Sequence, residues 1–432
     1  IGFQRRLVDT PAALTAAAAA AQSALSSREL EIDGQMLQRL GLLPAGVDYR
    51  ALLAGALGPQ RAAFYDPGVR RLYVPSWIDL REQRPLLAHE IAHALQDQRI
   101  GLRRFLGLRP DGRRGLDFDA QLARQALIEG DASVLAMEAT DPRARFPPPR
   151  ELAEAVEKMR VALLEPPVNP AATPPAPSFI RELLGFPYVE GFAFVARLRG
   201  AGSWASIDGV WASPPESTAQ ILHPEKYDRH QSPLPVQVSP LASLGDGYQV
   251  ARTDTLGELM VRLWLSSQGD AGARSDPPAG IPRDLAERAA AGWRGDRIAV
   301  YLPAAAEQSV VLAWLTAWES TADADDFLQV ASRRLAALAT AENVPGLPAA
   351  PAPPLAADRP AVFTDRSSGA AFAIQRRSQW VALVLGAPEA AARPALTAML
   401  EGRQAGERSL PAAAGARKAT PVRSRSVRKP GG

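Results

Sequence analysis

Through most of the first 240 residues apolar positions recur three and four residues apart, the spacing of amphipathic helices. It predicts helices over 11–26, 30–43, 85–99, 119–139, 151–164 and 179–199, with another inside 204–227 after Pro214-Pro215. Residues 62–77 (AAFYDPGVRRLYVPSW) break the pattern: two short aromatic and aliphatic runs flank Asp66-Pro67-Gly68, which predicts a hairpin. Beyond Ser239 the spacing alternates between the two kinds, with helices expected near 255–266, 282–291 and 322–338 and strands near 297–302 and 309–318. A second hairpin is expected in 371–385, then a short helix to 400. Proline-rich stretches at 147–149 and 166–177 flank the helix at 151–164, and no repeat of fixed period is present. The expected organisation is α+β: a first domain over 1–240, a second α+β region over 241–345, a Pro/Ala-rich linker over 346–360, a small hairpin-helix region over 361–401 and a basic disordered tail over 402–432.

A chain of 432 residues exceeds what one hydrophobic core usually serves. With 47% hydrophobic and 22% charged residues it has the composition of a globular protein. The net charge of +3 is misleading, because seven of the 49 basic residues lie in the last 25 positions with no acid among them. Residues 1–407 carry 42 basic against 46 acidic side chains, so no nucleic-acid partner is expected for the folded body. The absence of cysteine excludes disulfides, thiolate zinc sites, iron–sulfur clusters and thiol catalysis. No uncharged apolar run approaches the length of a membrane helix. The chain begins at Ile1 rather than Met, which fits a removed targeting segment and an exported, periplasmic or cell-envelope location, with the cytoplasm as the alternative.

One pattern carries chemistry. His89-Glu90-Ile91-Ala92-His93 is an HExxH sequence inside the best-defined helix, and it uses two of the four histidines. Chance would supply about 0.004 such matches in this composition, so coincidence is a poor account of it. Residues i and i+4 share a helix face, so both imidazoles can hold one metal ion while Glu90 lies beside its open position. A hydrolytic site needs a third protein ligand. Positions 96 and 99 are Gln and Arg, which excludes the HExxHxxGxxH continuation. A glutamate from a second helix remains; Ala126 to Ala132 (ALIEGDA) offers Glu129, with Glu138 and Asp131 as rivals.

With these residues the chain resembles the gluzincins, the thermolysin-like branch of zinc metallopeptidases. His89 to Asp97 (HEIAHALQD) is similar to the thermolysin active-site helix, which also carries an acid four residues after its second histidine. It departs from that family in the longer gap to Glu129 and in Ser133, where the ExxxD pattern has Asp. The set HExxHALQDQ, EGDA, FPYxxGxxF (186–194), STxQILHPxKY (217–227), GWRGDR (292–297) and 318–327 is similar to a group of bacterial and archaeal proteins classed with the gluzincins. The likeness runs from about 60 to 330.

The resemblance implies a zincin-like domain in which an edge strand, here 71–77, precedes the HExxH helix and can align an extended peptide. It implies Zn2+ on His89, His93 and Glu129, with Glu90 as general base in peptide-bond hydrolysis. It also implies a later His and Tyr that stabilise the oxyanion; His223 and Tyr188 are the candidates, with His230 and Tyr227 behind them. Asp97 is expected either to orient a ligand histidine or to stay solvated. Trp204, Trp211, Trp293, Trp314 and Trp318 are expected in the core. The expected partner is a peptide or protein substrate; oligomeric state cannot be read. The alternatives are a non-catalytic metal protein that holds a partner segment and a processing protease of narrow specificity.

Overall fold

A computed structural model describes residues 3–22, 26–56, 63–141, 143, 146, 148–164, 177–267, 281–305, 309–340, 358–365 and 368–409. Most of the expected linker, the Pro-rich stretch at 166–176 and the basic tail beyond 409 fall outside them. The chain opens with β1 (Gln4–Val8), α1 (Pro11–Gln22), α2 (Ser27–Arg39) and α3 (Tyr49–Ala56). The expected hairpin follows as β2 (Phe64–Asp66) and β3 (Arg71–Pro75), then α4 (Arg84–Ile100), which carries HExxH, and the single turn α5 (Leu102–Phe105). Helices α6 (Phe118–Thr140), α7 (Pro149–Leu164), α8 (Ser178–Ala201) and α9 (Trp204–Ala212) complete a helical layer, with the short α10 (Thr218–Leu222) and α11 (Pro224–Asp228) behind them. The remainder runs β4 (Tyr248–Asp254), α12 (Gly257–Ser266), α13 (Arg283–Ala290), β5 (Trp293–Pro303), β6 (Val311–Trp318), α14 (Thr321–Thr340), β7 (Ala361–Thr364), β8 (Ala370–Arg377), β9 (Trp380–Pro388) and α15 (Glu389–Ser409). The chain is thus α+β, and α15 continues to Ser409 where a disordered tail was expected from 402.

The small sheet has the order β1-β3-β2. β1 runs parallel to β3, Gln4 opposite Arg71 and Val8 opposite Pro75, and β2 pairs antiparallel on the other side. The expected edge strand at 71–77 is therefore the central strand, because residues 4–8 supply it with a second partner, and β1 and β2 are the edges.

The large sheet is antiparallel throughout, in the order β4-β5-β6-β9-β8-β7. Strands from both sides of residues 346–360 meet along β6 and β9, so 248–318 and 361–388 share one sheet. Strict alternation builds its two faces. Leu312, Trp314 and Trp318 of β6 join Val381, Leu383 and Leu385 of β9 on the face towards α14 and the helical layer. Ala313, Leu315 and Ala317 join Ala382 and Val384 on the other face, where α15 lays down Ala391, Ala392 and Ala395. One apolar cluster runs from Ile32 through α6, α8, α12 and α14 to Leu385, so helices and sheet share a core. Trp264, Trp293, Trp314 and Trp318 lie fully inside it, and Trp204 and Trp211 pack at its margin. Each fully buried indole removes about 150–250 Å² from water, about 4–6 kcal/mol as an upper bound.

Two motifs of the resemblance join the layers. Thr218 donates its backbone N–H to Asp119 of α6 at 2.9 Å, and Lys226 donates to the Ala291 carbonyl at 2.9 Å. Asp296 accepts from the amides of Leu256 and Gly257 at 3.0 and 2.9 Å and from the indoles of Trp293 and Trp314 at 3.0 and 2.9 Å. Residues 217–227 and 292–297 thus tie the helical layer to the large sheet.

Candidate metal centre

Helix α4 is fixed at both ends. Pro85 opens its first turn, and the Gln83 amide just before it donates to the carbonyls of Ile78 and Pro75 at 2.8 and 3.3 Å. Gly101, with φ of 71°, closes it. Ala94 packs beneath Tyr65, Leu72 and Val74, so the small sheet lies over one side of α4 while α6 packs against another.

This places the two histidines against the middle of α6. His89 Nε2 and His93 Nε2 are 2.9 Å apart, and Glu129 Oε2 lies 3.2 Å from the first and 3.3 Å from the second. Zn–N and Zn–O bonds of about 2.0–2.2 Å at tetrahedral angles separate neighbouring ligand atoms by about 3.3–3.5 Å; Glu129 Oε2 stands close to that spacing from both nitrogens, while the nitrogens themselves are closer, at 2.9 Å. The far ring nitrogens are each held by a partner. His93 Nδ1 faces the Gln96 side-chain carbonyl at 2.9 Å and His89 Nδ1 faces Ser133 Oγ at 3.4 Å. Gln96 in turn donates its amide to Asp131 and to the Ile128 carbonyl, which fixes its oxygen towards His93. With a proton on each Nδ1, two Nε2 lone pairs and a carboxylate converge with no proton between them, a donor set that suits a divalent cation. Without a metal the charges settle differently. Burial alone would lower His93, but the Glu129 carboxylate holds it up at about 9, and the two imidazoles hold Glu129 down at about 2 against its own burial.

A carboxylate oxygen of Glu90 lies within 4.8 Å of a ring nitrogen of each histidine, and the residue is buried. Its Oε2 accepts the Tyr65 backbone N–H of β2 at 2.7 Å, and burial pushes its carboxyl up. Tyr188 of α8 stacks beside His89 with ring centres 6.5 Å apart. The charge of Glu129, then burial, then Glu90 push its hydroxyl up, so it stays protonated, and the residue is 45% exposed.

What brings α8 so close is a pair of glycines. A Cβ on Gly130 would lie 2.1 Å from the Gly191 carbonyl oxygen, and one on Gly191 would lie 2.1 Å from that of Ala126. Only glycine at both places lets the two backbones touch, which sets Glu129 beside Gly130 and Tyr188 one turn before Gly191 in one site. The glycines of EGDA and FPYxxGxxF have this packing role.

Other expected residues go elsewhere. His223 caps α10, and its Nε2 meets the buried Glu258 of α12 at 2.6 Å; among the described contacts it touches none of His89, Glu90, His93 and Glu129. Tyr227 donates to the Ser213 carbonyl, and His230 is exposed in a left-handed turn. The rivals of Glu129 are also engaged: Glu138 binds Trp204 and Arg199, and Asp131 binds Gln96. Asp97 neither orients a histidine nor stays solvated, because it is buried as acceptor for Tyr65 Oη and the Leu102 amide. Sequence reasoning missed Gln96, Ser133 and Tyr65; the only signals were the places of Gln96, three after His93, and Ser133, four after Glu129.

A family model described as a domain of unknown function (DUF8575) matches residues 247–397, about a third of the chain. That segment holds the large sheet and α12 to α14 and leaves the histidine site outside it. No curated protein and no solved structure matches the chain.

Proposed function

We propose that the chain is a zinc-dependent peptidase of gluzincin kind, with residues 1–240 as its zincin-like part. The observation that carries this reading is the convergence of His89 Nε2, His93 Nε2 and Glu129 Oε2 within 3.3 Å, with Gln96 and Ser133 on the far nitrogens. Zinc bound there supplies a Lewis acid and a water of lowered pKa. Glu90, poised towards holding a proton by its burial, takes the proton of the attacking water and returns it to the leaving amine. Its bond to Tyr65 N–H keeps the carboxylate turned to the edge of β2. Tyr188, which keeps its proton, donates to the oxygen that becomes negative in the tetrahedral intermediate. Peptides or proteins are the substrates.

The test pairs metal analysis with cleavage of a diverse peptide mixture read by mass spectrometry. Wild type and Glu90→Gln are expected to bind one zinc each, His89→Ala to lose it, and only wild type to cut, with Glu90→Gln slower by about 10²–10⁴. Full activity in Glu90→Gln would remove Glu90 from its role. Zinc in both with no cleavage by wild type would make the chain a binding protein.

A further inference from the structure

Beside the proposed site lies an open cleft of roughly 840 Å³ lined by Asp66, Gly68, Arg103, Arg104, Gly107 and Arg109, among others. Among the described residues none of the three arginines has an ion-pair partner, and Arg104 and Arg109 are exposed. The carboxylate in the cleft, Asp66, accepts the Gly68 amide through Oδ1 at 2.7 Å and offsets one of the three positive charges. The cleft is therefore positive and polar, and one wall is the end of β2.

That strand connects it to the chemistry. β2 is an edge of the sheet, and its Tyr65 N–H points away from β3 to Glu90, so a peptide that pairs with this edge takes that N–H from the general base. Asp66 follows Tyr65 directly, and Pro67 and Gly68 begin the turn to β3 at the same end of the strand. An extended peptide added to this edge pairs more favourably antiparallel. β2 runs from Phe64 towards Asp66, so the N-terminal part of such a peptide lies over the arginines. The cleft at that end of β2 therefore receives residues on the N-terminal side of the cut.

We infer that Arg103, Arg104 and Arg109 form an acidic-segment subsite, which selects substrates with Asp or Glu on the N-terminal side of the scissile bond. This inference rests on the peptidase reading, because that reading identifies where the bond is cut. Lysine on that side of the bond meets a net positive cleft, whereas carboxylates gain arginine partners.

The test uses two labelled peptides that differ only in having three Glu or three Lys on that side of the bond. Binding is read by fluorescence anisotropy on the full chain carrying Glu90→Gln, which holds substrate without cutting it. Each partly exposed pair adds about 1.5- to 5-fold, so the Glu peptide is expected to bind at least about 10-fold tighter at low salt. The preference should shrink as salt rises. It should fall to within about 2-fold when Arg103→Gln, Arg104→Gln and Arg109→Gln are added, and partly with the exposed Arg104→Gln or Arg109→Gln alone. Equal binding of the two peptides, or a preference that survives the triple substitution, overturns the subsite even if wild type cleaves peptides. Failure of wild type to cleave any peptide instead overturns the peptidase reading, while the anisotropy comparison still decides what the cleft binds.

Discussion

Gly130→Ala tests the packing that assembles the site. Alanine is the better helix former, and in an open helix the change would stabilise by about 1 kcal/mol. Here the new Cβ would meet the Gly191 carbonyl oxygen at 2.1 Å and its carbon at 2.4 Å, against about 3.4 Å for ordinary contact, roughly 1.3 Å too close. Both partners are backbone, so no rotamer change relieves it and α8 must move off α6. A gap of about 0.5–1 Å already forfeits a quarter to a half of the dispersion attraction along such an interface. Overpacking of this kind costs about 1–3 kcal/mol, sometimes more. With a denaturant slope of about 3 kcal/mol/M or more for a chain of this size, the urea midpoint should drop by about 0.3–1 M. Gly209→Ala, in helix α9 with nothing within 4 Å of its Cβ, is the control and should be neutral or stabilising. Gly191→Ala meets the Ala126 oxygen at the same 2.1 Å, so one opening serves both and the double variant should lose less than the sum. A Gly130→Ala midpoint equal to wild type, or a Gly209→Ala loss as large, would refute the reasoning.

Two further outcomes are expected. Gln96→Leu takes the acceptor from His93 Nδ1 and the donor from Asp131, so zinc affinity by chelator competition should fall about 10–100-fold; an unaltered affinity would show that Gln96 does not orient His93. Burial raises Asp296 to about 6 despite its four N–H donors, so the native state keeps a proton that the unfolded chain releases near 3.8. Its contribution is present below about pH 3.8 and is lost as pH rises through about 6, a decline of about 3 kcal/mol. Urea midpoints at pH 4 and 7 should show a component of that sign in wild type that is missing in Asp296→Asn.

The helix that carries HExxH was legible because its apolar spacing, its opening proline and the HExxH sequence coincide. The hairpin was legible from Asp66-Pro67-Gly68. β1 was not: Gln4 to Leu7 are exposed and only Val8 is buried, so no alternation marks it as a strand. β4 is hidden in the same way, with Gln249, Val250 and Ala251 exposed at the sheet's edge. Glu129 was legible as a glutamate on a second helix, but its rivals could be set aside only through their partners Trp204, Arg199 and Gln96. The same limit hid the fate of His223, whose partner Glu258 lies 35 residues on. The glycine pair is the clearest case: the meaning of Gly130 depends on a carbonyl about sixty residues away, and no local pattern encodes a contact between backbones.

The parallel seam between β1 and β3 has a kinetic consequence. Gln4 and Arg71 are 67 residues apart, whereas β2 and β3 are joined by a tight turn, so closing the first pairing costs about 2 kcal/mol more chain entropy than closing the second. The side chains of β1 return little of that, since four of its five residues are exposed and its hold is mainly backbone hydrogen bonds. In native-state hydrogen exchange this seam belongs to the units that open first, well below global unfolding. Each opening turns β3 for a moment into an edge strand with one free row of amides and carbonyls, while β2 still shields its other side and the histidine helix beneath stays in place.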